Sequence, residues 1–204
     1  MSKMFFFLSV LAVGFTACEK NPVSEKQPDP VTTSAFTRTI QYTNQGTTKE
    51  AAYDTAYKIE NFAVVEEDHI VLAFIAAPKI PESAGDAIAF QIDARHLTSL
   101  AKTYTFNDRE NPITYGRYTY TYQRADGSIW GSISDTEMGV KFEGFLNIQK
   151  YDATRQLISG TYKAAIKGLI NDPTKNSTAS PIDPINLCDV TVTGTFTNLK
   201  LQVE

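Results

Sequence analysis

The sequence predicts an all-β domain built as an antiparallel β-sandwich, with a lipocalin-like barrel as the alternative way of closing the same strands. Three observations carry that prediction. From Ala35 onward the apolar residues recur mostly at every second position, the signature of strands with one buried face. Turn signals break the pattern roughly every 8–14 residues, which gives about ten strands and leaves almost no room for helix. The chain is also rich in rings that favour pleated surfaces, with 12 Phe, 10 Tyr and 1 Trp.

The elements follow in order. Phe36, Ile40 and Tyr42 share one parity and run up to the turn signal Asn44-Gln45-Gly46. Tyr57 to Val65 and Ile70 to Ala77 read as the arms of a hairpin around a four-residue loop, Glu66-Glu67-Asp68-His69. Ala87 to Ala94 is a further strand, and Leu97 and Leu100, three residues apart, predict one or two helical turns within Arg95 to Lys102. Tyr104 and Phe106 open a strand that stops at the polar turn Asn107 to Pro112. Asp126-Gly127 is the strongest short hairpin signal, because a two-residue type I′ turn needs positive φ at both positions. That turn would set Tyr122 opposite Gly131, Tyr120 opposite Ile133 and Arg124 opposite Ile129. Val140, Phe142, Leu146 and Ile148 share a face, as do Ile158, Tyr162, Ala164 and Ile166, with a turn around Tyr151 to Arg155 between them. A loop with three prolines, Asn171 to Asn186, precedes the last strand. There Cys188, Val190, Val192 and Phe196 point one way, and Leu199, Leu201 and Val203 take the other parity. That switch predicts a β-bulge or bend near Thr197-Asn198.

The N-terminus has a different character. Met1 to Ala17 combines Lys3 with an apolar run, Met4 to Phe15, too short for a permanent membrane span of about 20 residues. Phe15-Thr16-Ala17-Cys18 resembles the lipobox of bacterial lipoproteins, with Phe15 where that family usually has Leu. The resemblance implies cleavage after residue 17 and lipid on Cys18; an ordinary cleaved signal peptide is the alternative. Residues 18–34 then read as the lipidated Cys and a proline-rich tether, and residues 35–204 as a single β-sandwich domain. With Cys18 taken by lipid, Cys188 is the remaining thiol, and its phase with Val190 and Val192 makes it a small buried hydrophobe.

Several segments together carry a second resemblance. Gly144-Phe145-Leu146-Asn147-Ile148, Tyr151-Asp152, Ile158-Ser159-Gly160-Thr161-Tyr162 and Val192-Thr193-Gly194-Thr195-Phe196-Thr197-Asn198 resemble uncharacterised Bacteroidota-type small β-sandwich lipoproteins. In that family a strand, a Tyr-Asp turn and a Ser-Gly-Thr-aromatic strand pair with a closing Gly-x-Phe strand. The resemblance implies an envelope β-sandwich lipoprotein. It brings no catalytic residues, since the family has no assigned activity.

Composition narrows the function classes. With 19 Lys+Arg against 23 Asp+Glu, nothing would neutralise a run of phosphates, so nucleic acid is not an expected partner. Two Cys and 2 His are too few for a zinc cluster, and no cofactor motif emerges. Ser99-Leu100-Ala101-Lys102 matches S-x-x-K but lacks the partner motifs of acyl transfer. His69 beside Glu66, Glu67 and Asp68 reads as a solvated hairpin tip, and His96 near Asp93 has no further ligand. Asp108 and Glu110 with Asn107 and Asn111 read as turn chemistry in place of a calcium site. Asp135, Glu137 and Glu143 are the carboxylates a small glycoside hydrolase would need, at separations a sequence does not give. Asp54-Thr55-Ala56 resembles a bacterial O-glycosylation site, and Asn176-Ser177-Thr178 has no meaning as a sequon in a bacterial lipoprotein.

The candidate ligand site is Trp130. The type I′ register groups it with Gln123, Thr121 and Ser132, an apolar ring among an amide and hydroxyls, as a sugar would require. Tyr118, Tyr120 and Tyr122 read as core. The expected function is a non-catalytic binding or accessory module of the bacterial envelope with a glycan as ligand. It would be held by lipid at Cys18, on the periplasmic face of the outer membrane or on the cell surface. A structural lipoprotein with an envelope protein partner is the second expectation, and a small hydrolase the third.

Overall fold

The computed structural model describes residues 30–42, 48–53, 58–77, 85–93, 100–123, 129–169 and 187–203, with the backbone alone at 48–53, 58, 77, 122–123 and 129–130. The expected signal peptide, Cys18, most of the tether, the turn at 44–46 and the loop at 171–186 lie outside the described residues.

Among the described residues there are eleven strands in one bent sheet. One half orders β2 (Thr48–Tyr53), β1 (Thr33–Tyr42), β11 (Cys188–Val203), β10 (Leu157–Leu169), β9 (Phe142–Asp152) and β6 (Thr103–Thr105). The other orders β3 (Lys58–Glu66), β4 (His69–Ala77), β5 (Asp86–Asp93), β7 (Ile113–Gln123) and β8 (Ile129–Asp135). We call these the first and second halves. The long β11 belongs to both, since beyond its pairing with β1 its end, Leu201–Val203, runs parallel to Ala63–Val65 of β3. That is the one parallel pairing among the described strands, an exception to the expected all-antiparallel sheet; β3 and β11 are far apart in sequence, so no hairpin dictates their sense. The hydrogen-bonded path runs from β6 to β8 without closing, so the barrel alternative does not hold.

β11 bends where its parity changes. Ile158 pairs with Leu199 but Gly160 with Phe196, so one residue is extra on β11, and Asn198 there adopts φ 54°. Asn tolerates that left-handed conformation better than most residues. The bulge turns Leu199 and Leu201 inward after Phe196, as the sequence pattern requires.

The bend brings two ring-bearing faces together. Phe74 of β4 stacks on Tyr162 of β10 at 4.2 Å between centroids and meets Phe196 at 5.3 Å. Phe90 lies 5.8 Å from Tyr162, and Phe106 5.5 Å from Phe142. Two glycines make room for these rings. Gly160 pairs with Phe196 and Gly194 with Tyr162, each glycine facing the other strand's ring. A Cβ on Gly194 would lie 2.3 Å from Tyr162 and from the Ala35 carbonyl, and one on Gly160 would lie 2.9 Å from Phe196. The Ser-Gly-Thr-Tyr and Gly-Thr-Phe segments are therefore two halves of one reciprocal packing device.

Several sequence expectations need correction. Strand β1 starts at Thr33, paired with Thr197, so the end of the expected tether belongs to the sheet. Glu66 pairs with His69, leaving a two-residue loop, Glu67-Asp68, in place of four; Glu67 takes φ 27° there. No helix occurs among the described residues. Of the expected helical turns, 95–99 lie outside the described residues, and Leu100 to Lys102 is irregular, with Leu100 buried. The β7–β8 register is Tyr122 with Trp130, Tyr120 with Ser132 and Thr121 with Gly131, one residue off the type I′ expectation. The Asp126-Gly127 turn itself lies outside the described residues, and a one-residue slip moves every side chain of a strand to the opposite face.

Charge also enters the interior. Arg38 of β1 and Asp86 of β5, both buried, form an ion pair at 2.6 Å across the two halves, and the Tyr118 hydroxyl donates to the same carboxylate. Arg38 sits in the inward phase of Phe36, Ile40 and Tyr42, and Asp86 in that of Ile88, Phe90 and Ile92. Two opposite charges, each in phase with a core row, were a legible signal of a buried pair that the apolar pattern alone passes over.

Candidate functional site

Of the four residues expected to form the site, Thr121 and Ser132 lie in different rows of the sheet, and the side chains of Trp130 and Gln123 lie outside the described residues. In the observed register Trp130 and Ser132 stand opposite Tyr122 and Tyr120, whereas Thr121 and Gln123 stand opposite Gly131 and Ile129. Directly opposed residues of an antiparallel pair project to the same side, and neighbours along a strand to opposite sides. Tyr118, Tyr120 and Ser134 are buried, and Thr121 is exposed. The register thus puts Thr121 in an outer row and Ser132 in the row of Tyr120.

The outer face of the second half carries a concavity of about 330 Å³ instead. Cross-strand register builds it in three rows. The middle row is Phe62, Ala73, Ala89 and Arg117, with Asp135 next along it beyond the bowl. On one side of it lie Ile75, Ala87 and Thr119, and on the other Val71, Gln91 and Tyr115. Three alanines therefore sit together where larger side chains surround them, and the result is a bowl. Phe62, 39% exposed, walls one side, while Tyr115, Arg117, Gln91 and Thr119 form the polar side. Beyond Thr119 the apolar surface continues to Ile133, 52% exposed.

The polar wall is held from behind. Asp135, 3% exposed, accepts the Tyr115 hydroxyl at 3.0 Å and the Met138 backbone N–H at 2.9 Å. Arg117 lies 3.6 Å from the same carboxylate, with its guanidinium carbon 5.4 Å from the Tyr115 ring centre. The Met138 N–H, followed by the Tyr115 hydroxyl and Arg117, keeps Asp135 below the ordinary carboxylate range. Burial, and then the bond to Asp135, raises Tyr115 above its ordinary value, so its hydroxyl stays a donor at neutral pH. A ring fixed at its hydroxyl and capped by a cation is a preformed wall, which saves the entropy of ordering it on binding.

Other sequence candidates resolve in simple ways. His69 bonds Asp68 at 2.8 Å and Glu66 at 2.9 Å, a closed hairpin tip. Among the described residues no group of three or more His, Cys, Asp or Glu is placed to hold a metal. Asp108 accepts the Glu110 N–H at 2.8 Å, the local turn bond expected of Asx chemistry. Glu143 pairs with Lys141 at 2.6 Å, whereas Asp135 serves the bowl's wall. Cys188 is buried, in line with Val190 and Val192. Ser99, His96, Asp54, Asn176 and Cys18 lie outside the described residues.

The bowl itself is what sequence reasoning missed. Alanines at outward positions of β4 and β5 look ordinary one strand at a time, and only the register of four strands puts them side by side. Among the described residues no helix is long and apolar enough to cross a membrane. Compared with family models, curated proteins and solved structures, the chain matches none.

Proposed function

We propose that this chain is a lipid-anchored protein of the bacterial envelope whose sandwich acts as a non-catalytic binding or accessory module for saccharides, seated in the bowl on the second half. The observation that carries this reading is the asymmetry of the bowl. Its floor and one wall are apolar, and its other wall offers the fixed Tyr115 with Arg117, Gln91 and Thr119. A sugar ring has the matching amphipathy, with C–H groups on one face and hydroxyls at its edge. The volume lies at the low end of the roughly 300–1,000 Å³ typical of small-ligand sites, so one or two rings fill it. The lipobox-like Phe15-Thr16-Ala17-Cys18 supports the anchor and the envelope location.

The test is a glycan array probed with the wild type and with Ala89→Leu. Leucine at position 89 fills the floor from the solvent side, so binding is lost while the melting temperature stays within a few degrees. Glycan binding that is indifferent to Ala89→Leu, or no glycan binding at all, overturns the reading. Exposed Phe62 and Ile133 favour a second reading, in which the same apolar surface docks another envelope protein; a silent array together with an envelope partner captured by crosslinking and lost in Phe62→Ser would select it.

A further inference from the structure

The geometry points to an acidic saccharide as the occupant of the bowl: a uronate-type ring whose carboxylate pairs with Arg117. This rests on the saccharide reading above and narrows it by charge. Among the residues lining the bowl, Arg117 is the one charged group. Its counterion stands behind the wall. The Asp135 side chain is 4% exposed against 48% for Arg117, so an incoming ligand meets the cation and not the carboxylate.

The donor arithmetic agrees. Asp135 Oδ1 accepts the Met138 N–H, and Oδ2 accepts the Tyr115 hydroxyl, while the nearest Arg117 nitrogen is 3.6 Å away, beyond hydrogen-bond reach. Arg117 is thus oriented by Asp135 without spending its N–H groups on it. A guanidinium has five such donors in a planar fork, which matches a carboxylate bidentately. The Tyr115 ring beneath it limits the fork's rotation. Ala89 is directly opposite Arg117 in the register, and Ala73 is next along the row. A ring whose carboxylate reaches the fork therefore lays its C–H face over that alanine floor, with Phe62 beyond it. Gln91 and Thr119, on either side of the row, are placed to meet ring hydroxyls.

The experiment uses the full-length chain in detergent and trimers of galacturonate, glucuronate and mannuronate, each also as its methyl ester, with calorimetric titration as the readout. The ester keeps the ring and removes the charge. At least one uronate trimer binds the wild type, and its ester binds about tenfold or more weakly. Arg117→Gln brings the free acid down to the level of the ester, Arg117→Lys falls between them, and Ala89→Leu abolishes both. Affinity for the acid also declines with added salt. An ester that binds as tightly as its acid, or an Arg117→Gln variant that still prefers the acid, overturns the acidic specificity and leaves the saccharide seat standing. Failure of every acid and ester to bind, or binding that Ala89→Leu does not touch, overturns the seat and the specificity together.

Discussion

The two outer faces of the bent sheet obey the same alternation and differ in what they show to water. On the first half, β11 places Thr191, Thr193, Thr195 and Thr197 outward, and β1 meets them with Thr39, Thr37, Ala35 and Thr33. β10 adds Thr161 opposite Thr195 and Lys163 opposite Thr193. Such a face has the β-branched shape that strands favour and a hydroxyl at nearly every step, so solvation alone accounts for it. On the second half the same positions hold Phe62, Val71, Ala73, Ile75, Ala87 and Ala89, flanked by Tyr115 and Arg117. Solvation does not account for that face. Both faces back onto one shared apolar core, so the contrast lies in the outer rows alone, and the excess apolar surface of the second half is what the proposed ligand would cover.

The largest expected effects act on the shared interior and so weaken both faces alike. Asp86→Asn removes the carboxylate that pairs with the buried Arg38 and should cost about 3–5 kcal/mol, read as a lower urea midpoint at unchanged slope. Replacing the network together, as Arg38→Met, Asp86→Leu and Tyr118→Phe, should restore most of that loss, because the pair's own desolvation cost disappears with it. A cost for Asp86→Asn below about 1 kcal/mol would mean that the pair does not join the halves. Gly194→Ala comes next. Its Cβ would meet the Tyr162 ring and the Ala35 carbonyl at 2.3 Å, so strand β1 or the ring stack must shift, at about 1–3 kcal/mol by thermal or urea unfolding.

How far the sequence could be read depended on whether a feature lived within one strand or between strands. The bulge at Asn198 was legible because two runs of core residues in β11, ending at Phe196 and starting at Leu199, are an odd number of positions apart. The burial of Tyr118 and Tyr120 in β7 and that of Cys188 were legible in the same way. The β7–β8 register was not, because Asp126-Gly127 is compatible with two loop lengths that differ by one residue. That one residue separated Ser132 from Thr121. The parallel pairing of β3 with β11 and the alanine floor depend on contacts between distant segments, which no local pattern encodes. Arg38 and Asp86 fall between these cases, each visible in its own strand but meaningful only as a pair.

A matched pair of substitutions sharpens the contrast at smaller cost. Thr193→Lys on the first half and Ala89→Lys on the second each put one ammonium on an outer face. Thr193→Lys should change stability by no more than about 0.5 kcal/mol, and Ala89→Lys, which is half-buried, by about 1 kcal/mol. Saccharide binding should survive the first and vanish in the second. Equal loss in both would place the ligand elsewhere and remove the functional difference between the faces.

The smallest effect lies at the border of the second face, where Glu66, His69 and Asp93 form the row beyond Val71 and Gln91. The hydrogen bond that the His69 ring donates to Asp68, then the one it donates to Glu66, raises the His69 pKa above its ordinary 6.5. The stabilisation this gives is complete below pH 6.5 and is lost as pH rises through the raised value. Asp68 is shifted down by the same bond, so its contribution is present above its ordinary 3.8 and is lost as pH falls through the lowered value. The hairpin tip is therefore firmest between those two limits. Because these groups are solvent-facing, global stability should scarcely register the change, and the measurement is the titration of the His69 ring by NMR. Asp68→Asn should lower its midpoint toward 6.5, while Thr193→Lys on the other half leaves it in place. An unchanged midpoint in Asp68→Asn would show that the tip is not closed by this bond. Saccharide affinity should stay flat through the same titration, because His69 borders the bowl without lining it.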